Sequence, residues 1–343
     1  MAIREPLFSI CIPTFNRREM LCQAIRSALN QTYDHIEVVV SDNASDDGTS
    51  EAVRALGDAR IRYFRNETNL GAASNWERCL YLAQGAFISW LQDDDLLLPH
   101  FASNAVAAMA ATGASCAFAA CLQTSTPSSL AGASLFGTAL TMDWCSGQPL
   151  PLPLSLALPL ALVESSGIPP AMAFRVETIR RIAHDVIWNG YPLYAERMPI
   201  VHCAALSSVV IVPAVCGIFR SHPGQYSRAL LCDTASARQQ YESFLQALQD
   251  IGTRHEVVLD DFARFLATAP DVVLERFHHY LNSRHSSTCL FHEVRQVVRC
   301  EHRRRGFAAI KHRIWGLCRD ITPPFLARLL DGTIQKLGRR LGI

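Results

Sequence analysis

The chain has 343 residues, of which 49% are hydrophobic and 18% charged. That excludes a disordered or collagen-like polymer, because enough apolar mass is present for a full core. The mean hydropathy of +0.11 is high for a globular chain, yet no run approaches the roughly twenty apolar residues that predict a spanning helix. The formal net charge of +1 hides an asymmetry: residues 281–343 carry 13 Lys+Arg against 4 Asp+Glu, and the remainder carries 19 against 27. A basic tail on an acidic body suggests an anionic partner for the tail or a packing face on the chain itself. The 12 cysteines show no C-x-x-C spacing, and several sit in apolar runs, where Cys acts as a small hydrophobe. Met1–Pro6 lacks the apolar core of a secretory signal. The expectation is a reduced, cytoplasmic setting.

In chain order, Leu7–Ile12 reads as a buried strand stopped by Pro13. Asn16 followed by Glu19 suggests a capping box, and Leu21, Ala24, Ile25, Ala28 and Leu29 recur at helical spacing. Ile36–Val40 is a β-branched strand running into a turn-rich loop, Ser41 to Gly48. A short helix over Thr49–Leu56, a strand over Ile61–Phe64, a helix over Ala72–Ala83 and a strand over Ala86–Leu91 follow. This alternation predicts an α/β fold, a mostly parallel sheet with helices on both faces. Further on, Cys116–Ala120 reads as a strand and Thr124–Gly147 as a loop. Pro149–Val163 is Leu-rich, but its four prolines argue against a regular helix and for a buried or extended loop. Ala171–Arg175 and Val209–Val212 read as strands flanking a helix over Val176–Ala183. Gly217–Ser227 reads as a polar loop, and the chain is helical from about Thr234 onward.

In open α/β sheets ligands bind beyond the carboxyl ends of the strands. Three such ends here carry polar loops: Pro13-Thr14-Phe15-Asn16-Arg17, Asp42-Asn43 and Asp93-Asp94-Asp95. Asn16 and Arg17 at a helix start suit a phosphate. Asp42 could accept from a base or ribose, an Asx-turn role being its alternative. Adjacent carboxylates repel, and a hard divalent cation bridging to diphosphate oxygens is the economical reason to keep three together. Asn69, Gly71 and Asn75 are further candidate substrate contacts, with ordinary loop and cap chemistry as the other reading.

The order of these segments resembles family-2 glycosyltransferases, which carry the GT-A fold. "SICIPTFN" at Ser9–Asn16, "SALNQTY" with "IEVVVSDNASDDGT", and "NETNLGAASNWERCLYLAQGAFISWLQDDDLLLP" are similar to that family's ordered signatures over residues 7–111. The resemblance implies a nucleotide-sugar donor, a UDP-sugar first, and transfer with inversion to a saccharide or lipid-linked acceptor. It places the uracil-contacting acid on Asp42 and first-loop contacts on Pro13, Thr14 and Asn16 or Arg17. It implies a divalent metal, Mn2+ or Mg2+. Counted back from Pro99, the family's Asp-x-Asp-Asp falls on Gln92–Asp95, with Gln in place of the first acid; counted within the acids it is Asp93-x-Asp95. Asp94 and Asp95 are the expected metal ligands and Asp93 a substrate contact. "GIFRSHPGQYS" resembles the late Arg-x-His segment, adding His222 as metal ligand and Arg220 as phosphate contact. Tyr194–Arg197 resembles the family's Glu-Asp motif, with Arg197 where the base Asp usually stands. Glu196 is therefore the candidate base, Asp185 a weaker one, and Pro170–Phe174 is expected on the acceptor side.

The expected organisation is a glycosyltransferase domain over residues 1–230 (7–120 donor half, 121–230 acceptor half) and a helical region over 231–343. In Pro323–Ile343, Leu326, Leu330, Ile334, Leu337 and Leu341 form an amphipathic basic pattern. It reads either as packing on the chain's own body or as peripheral docking on an anionic membrane at the cytoplasmic face. No nucleic-acid-binding motif accompanies the charge. The functional expectation is metal-dependent inverting sugar transfer in surface polysaccharide or glycolipid assembly. The alternatives are a catalytically impaired nucleotide-sugar-binding or assembly subunit and a sugar nucleotidyltransferase, whose Gly-rich first loop is missing at Pro13–Arg17.

Overall fold

The structure, a computed structural model, describes residues 5–125, 133–136, 148–163, 170–186, 197–225, 234–284 and 286–319. The chain divides into two compact units, Met1–Val257 and Val258–Ile343. The strands of the first unit are β1 (Phe8–Thr14), β2 (Ile36–Asp42), β3 (Ile61–Arg65), β4 (Phe87–Trp90), β5 (Leu96–Leu97), β6 (Cys116–Thr124), β7 (Ser134–Phe136), β8 (Leu150–Leu152), β9 (Met172–Arg175) and β10 (Val209–Arg220). Its helices are α1 (Arg18–Leu29), α2 (Thr49–Ala55), α3 (Ala72–Leu82), α4 (Phe101–Thr112), α5 (Leu154–Val163), α6 (Val176–Val186), α7 (Met198–Leu206) and α8 (Thr234–Arg254). Among the described residues one sheet runs in the order β3-β2-β1-β4-β9-β6-β10-β5, with β7 against β6 and β8 against β10. Strands β3, β2, β1 and β4 are parallel, as are β6 and β10. Strand β9 is antiparallel to both its neighbours, so the sheet is mixed beyond β4.

The apolar runs of β1 and β2 follow from burial on both faces. Phe8, Ile10 and Ile12 pack with Leu21, Ala24, Ile25 and Ala28 of α1 and with Phe101, Ala102 and Ala105 of α4. On the opposite face the Cys11 thiol donates to the Cys79 carbonyl of α3 at 3.6 Å, and Ser41 Oγ donates to Asn75 Oδ1 at 2.8 Å. Each fully buried aliphatic side chain contributes on the order of 2 kcal/mol, so a register slip by one residue would be heavily penalised.

Four expectations need correction. The capping box does not form: α1 begins at Arg18 without a side-chain cap from Arg17. Asn16 has φ +51° and its Oδ1 accepts from the Asp46 amide at 2.9 Å, while the Arg18 amide donates to Asp47 Oδ2 at 2.9 Å. A neighbouring loop thus caps the helix. The Pro-rich segment contains strand β8 and helix α5, with Pro159 inside the helix. Pro149, Pro151 and Pro153 precede the helix, and the Pro153 carbonyl accepts from the Leu156 and Ala157 amides at 3.0 and 2.9 Å. Ala157, Leu158, Leu160, Ala161 and Leu162 are all buried, which offsets the one amide that Pro159 lacks. Strand β10 continues to Arg220 instead of ending at Val212, and register shifts between Val212 and Gly217 accommodate Pro213. The expected loop over 124–147 includes strand β7.

The second unit is helical, with α9 (Asp260–Thr268), α10 (Asp271–Asn282) and α11 (Cys289–Arg319). Phe262, Leu266, Phe277, Leu281, Phe291 and Val294 form its buried face, and the Phe262 and Phe277 rings lie 5.5 Å apart. No helix among the described residues is long and apolar enough to cross a membrane. The expected basic helix over 323–343 lies outside the described residues.

Glu37 is a buried acid inside β2. Its Oε1 accepts from Ser9 Oγ at 2.5 Å and from the Gln84 amide at 2.7 Å, and its Oε2 from Arg62 Nη1 at 2.6 Å. Ser9 Oγ in turn accepts from the Gly85 amide at 2.8 Å. A Cβ on Gly85 would sit 2.6 Å from the Leu7 carbonyl and 2.7 Å from Ser9 Oγ, so this turn admits glycine. Glu37→Ala leaves the partners of a buried charge unsatisfied and is expected to cost about 3 kcal/mol in urea unfolding. Gly85→Ala is expected to cost about 1–3 kcal/mol by overpacking against backbone; equal urea midpoints for wild type and variant would contradict the close approach.

Candidate active site

Because β2, β1 and β4 are adjacent and parallel, their C-terminal loops emerge at one edge of the sheet. Thr14 pairs in register with Asp42. Past β4 the chain turns through Gln92–Asp95 into β5, which pairs antiparallel with β10 at Leu97–Gly217 and Leu96–Ile218. That pairing brings Arg220 and His222, some 125 positions later in the chain, onto the acidic loop.

The three acids are exposed by only 5% (Asp93), 7% (Asp94) and 0% (Asp95). Arg17 Nη1 donates to Asp93 Oδ1 at 2.9 Å and to Asp94 Oδ2 at 2.7 Å. Its Nη2 donates to the Gly224 carbonyl at 2.6 Å, tying the β1 loop to the segment after β10. Thr14 Oγ1 donates to Asp93 Oδ2 at 2.8 Å, and His222 Nε2 lies 3.0 Å from Asp94 Oδ2. Asp95 is held apart from this group. Its Oδ1 accepts from the Arg220 amide at 2.8 Å, and its Oδ2 is buried without a hydrogen-bond partner among the described residues. The Arg220 guanidinium donates through Nε to the Asp94 carbonyl and through Nη1 to Gln23 Oε1, while Nη2 is buried with no partner among the described residues.

Burial dominates the electrostatics. It raises the Asp93 carboxyl to about 6, against the opposing pull of Arg17. Burial and the neighbouring Asp94 charge hold the Asp95 carboxyl well above the usual carboxylate range. Burial lowers Arg220, partly countered by Asp95, Asp94 and Asp93. For Arg17 burial also acts downward, yet the Asp93 and Asp94 charges prevail and its pKa is raised. The loop therefore holds more negative charge than it can comfortably solvate and recruits cations from two distant segments.

Asp42 is fully buried. Its Oδ1 accepts from the Ser45 amide at 2.9 Å, an Asx-type turn, and its Oδ2 accepts from the Tyr63 hydroxyl. Burial, then the bond to Asp42, raises that phenol to about 12. Asn43 Oδ1 accepts from Asn66 Nδ2 and the Leu70 amide, both at 2.9 Å. Its Nδ2 donates to Asn69 Oδ1 at 2.7 Å and to the Gly71 carbonyl at 3.3 Å. Asn75 bonds Ser41 on both its amide atoms. Gly71 has φ +83°, a turn that favours glycine. Asn43, Asn69, Gly71 and Asn75 thus form one loop-bracing network beside Asp42. Pro13, next to last in β1, is in register with Ser41.

The candidate base, Glu196, lies outside the described residues, and Asp185 is in the last turn of helix α6. Arg197 Nη1 donates to the Ala161 carbonyl at 2.9 Å and its guanidinium lies over the Phe244 ring at 5.9 Å. Residues Ala171–Phe174 are sheet core, 0–2% exposed, and so do not present an open acceptor surface. Sequence reasoning missed Tyr63, Gln23 and the Gly224 carbonyl. Tyr63 stands in a strand with no polar pattern of its own, and the other two contacts depend on segments about 200 positions apart.

Residues 9–142 match the family model described as glycosyl transferase family 2. A 96-residue stretch is 42% identical to the GalNAc(5)-diNAcBac-PP-undecaprenol beta-1,3-glucosyltransferase of Campylobacter jejuni, covering 27% of this chain and 31% of that one. A 100-residue stretch is 33% identical to the Escherichia coli UDP-Glc:alpha-D-GlcNAc-diphosphoundecaprenol beta-1,3-glucosyltransferase WfaP, covering 29% of this chain and 40% of the relative. The aligned part thus spans about a third of the length of these curated relatives. Among solved structures, S. aureus TarS 1-349 in complex with UDP-GlcNAc superposes with a TM-score of 0.52 at 14% identity, covering 80% of this chain and 71% of that one. At that identity the likeness concerns the fold alone. The family match takes in Thr14, Arg17, Asp42 and Asp93–Asp95, the residues that meet at one sheet edge: residues 9–142 are a segment of the family-2 glycosyltransferase type, and the fold is of the GT-A kind.

Proposed function

We propose that the protein transfers a sugar, with inversion, from a nucleoside-diphosphate sugar to an acceptor hydroxyl in surface polysaccharide or glycolipid assembly. The observation that carries this reading is the buried acid group Asp93–Asp94, faced by Arg17 and His222 at the sheet edge that also holds Asp42. A UDP-sugar is the favoured donor and a lipid-linked or saccharide chain the favoured acceptor, supported by the named activities of WfaP and the Campylobacter relative. The domain reading keeps residues 7–120 as the donor half and 121–230 as the acceptor half. Peripheral placement at the cytoplasmic face of a membrane agrees with lipid-linked acceptors and with the basic excess of residues 281–343.

The donor set fits a divalent cation. Carboxylate oxygens of Asp93 and Asp94 and the His222 ring nitrogen are offered together, and their charge is at present balanced by Arg17. Asp94 and His222 would hold the ion, and Asp95, bonded to the Arg220 amide, would position the loop. Such an ion, when bound, neutralises charge on the diphosphate oxygens. Arg17, released from the acids, is placed to meet a phosphate at the start of α1. Arg220, with one buried amino group unpartnered among the described residues, keeps positive potential behind the same loop. Glu196 is proposed to take the acceptor proton during attack.

A second reading, a nucleotide-sugar-binding subunit with impaired chemistry, is favoured by one observation. Arg197, at the place of the usual base, is engaged in packing against Ala161 and Phe244. Transfer from a panel of UDP-sugars onto lipid-diphosphate glycan acceptors separates the two readings. Metal-dependent UDP binding without any transfer or donor hydrolysis would favour the second.

Asp94→Ala is expected to lower transfer about 100-fold, as loss of one preorganised electrostatic contact does, and to abolish the Mn2+-dependence of UDP affinity in calorimetry. The pH dependence has a defined sign. Asp93 is raised from 3.8 to about 6 in the folded protein, so its contribution to the ion-free fold is full below 3.8 and is lost as pH rises through about 6. Binding of a cation requires the ionised form, so the rise in Tm on adding Mn2+ should be larger at about pH 7.5 than at about pH 5. An equal rise at both values would remove Asp93 from the cation's surroundings.

A further inference from the structure

The helical second unit holds a titratable cluster that sugar transfer does not use. Glu275 and His278 stand one turn apart on α10, on one face, and His302 reaches them from α11. One ligand atom from each of the three residues lies within 4.8 Å of the other two, and this is the sole such triad of His, Cys, Asp or Glu among the described residues. His302 Nε2 is 3.1 Å from Glu275 Oε1. The His278 and His302 rings stack face to face, 4.0 Å between centroids and 6° from parallel. Asn282, one turn beyond His278, places Nδ2 3.0 Å from that ring's Nε2. Its Oδ1 is held by Arg295 and Arg299 at 3.4 and 3.3 Å. The same Nδ2 lies 3.3 Å from Nδ1 of the His278 ring, so the Asn282 amide donates to that ring and would be displaced from its lone pair by an ion.

Two stacked imidazoles cannot both carry a proton cheaply, and burial followed by the His302 ring lowers His278. Neutral imidazole nitrogens beside one carboxylate are donors of the kind that borderline transition-metal ions take, while Mg2+ and Ca2+ prefer oxygen alone. Two of the donors belong to one helix and the third to another. Because imidazole lone pairs lie in the ring plane, one ring must rotate out of the stack for all three to bind one ion, which would then cross-link α10 to α11 and leave a position open to water.

The geometry points to a Zn2+-class metal site formed by Glu275, His278 and His302 that clamps α10 to α11. It is separate in sequence and chemistry from the acid loop at residues 93–95. The test is calorimetric titration of the chelator-treated full-length chain with ZnCl2 and, separately, MgCl2, together with thermal unfolding in each metal. The wild type is expected to bind one more equivalent of Zn2+ than His278→Ala or His302→Ala, or to lose about tenfold or more in affinity for that equivalent in each variant. The Zn2+-dependent rise in Tm should fall with it, and Mg2+ should give neither effect. His222→Ala, at the donor-side loop, is expected to keep this equivalent. Should either alanine variant lose helical content by circular dichroism, Glu275→Gln and His302→Gln replace it, since they keep the volume and remove the ligand. Identical Zn2+ isotherms in wild type and folded variants would overturn the proposal, as would loss of the equivalent in His222→Ala alone.

Discussion

Three consecutive carboxylates buried at the end of a sheet strand are the constraint around which the rest is arranged. Asp93, Asp94 and Asp95 cannot keep their charge in such a place without cations nearby. The fold supplies Arg17 from the β1–α1 loop and Arg220 from the far end of β10, and it sets the His222 ring against Asp94. These contacts join segments about 75 and 125 positions apart in the chain, and they need β5 to pair with β10 so that the acidic loop meets the Arg-x-His segment. The charge that would serve a nucleotide and a cation is therefore also what closes the first unit's carboxyl edge.

A second polar system has a different purpose. Glu37, Ser9, Arg62 and the Gln84–Gly85 turn satisfy one another inside the α3-facing side of the sheet. The network around Asn43, Asn66, Asn69 and Asn75 braces the loop after β2. These amides look like ligand contacts on a linear reading, yet most of their hydrogen-bonding capacity is spent on one another. Asp42 is similarly committed to Ser45 and Tyr63. A donor base that engages Asp42 must displace or share the Tyr63 hydroxyl. Rigid loops of this kind suit a binding edge, because little ordering is left to be done when the ligand arrives.

The parallel core was legible because its signals are local. Apolar runs at β1 and β2 can be long only where both faces are covered, and the intervening helices show a 3.6-residue period at Leu21, Ala24, Ile25 and Ala28. The acids at 93–95, Thr14 and Arg17 were found for the same reason: each follows a buried strand directly. Where the reading failed, a long-range contact overruled a local rule. Asn16 stands where a helix cap is expected, but its side chain accepts from the Asp46 amide while Asp47 reaches the helix start. Pro159 argues locally against a helix, but the burial of Leu158, Leu160 and Leu162 against α7 and α8 outweighs one missing amide. Pro170–Phe174 reads as an acceptor-side segment, whereas Met172–Phe174 lie in a central antiparallel strand.

The sequence by itself determined the alternating α/β order, the strand ends that carry chemistry, and the family whose spacing they follow. Each of these depends on neighbours within a few positions, where periodicity and turn chemistry act. Tertiary structure alone decided which acid faces which cation. It set Asp94 with Arg17 and His222, turned Asp95 inward under the Arg220 amide, and placed His302 against Glu275 and His278. The physical reason is that charge pairing at a few ångströms is settled by strand pairing and helix packing. Those bring together residues with no sequence spacing to announce them.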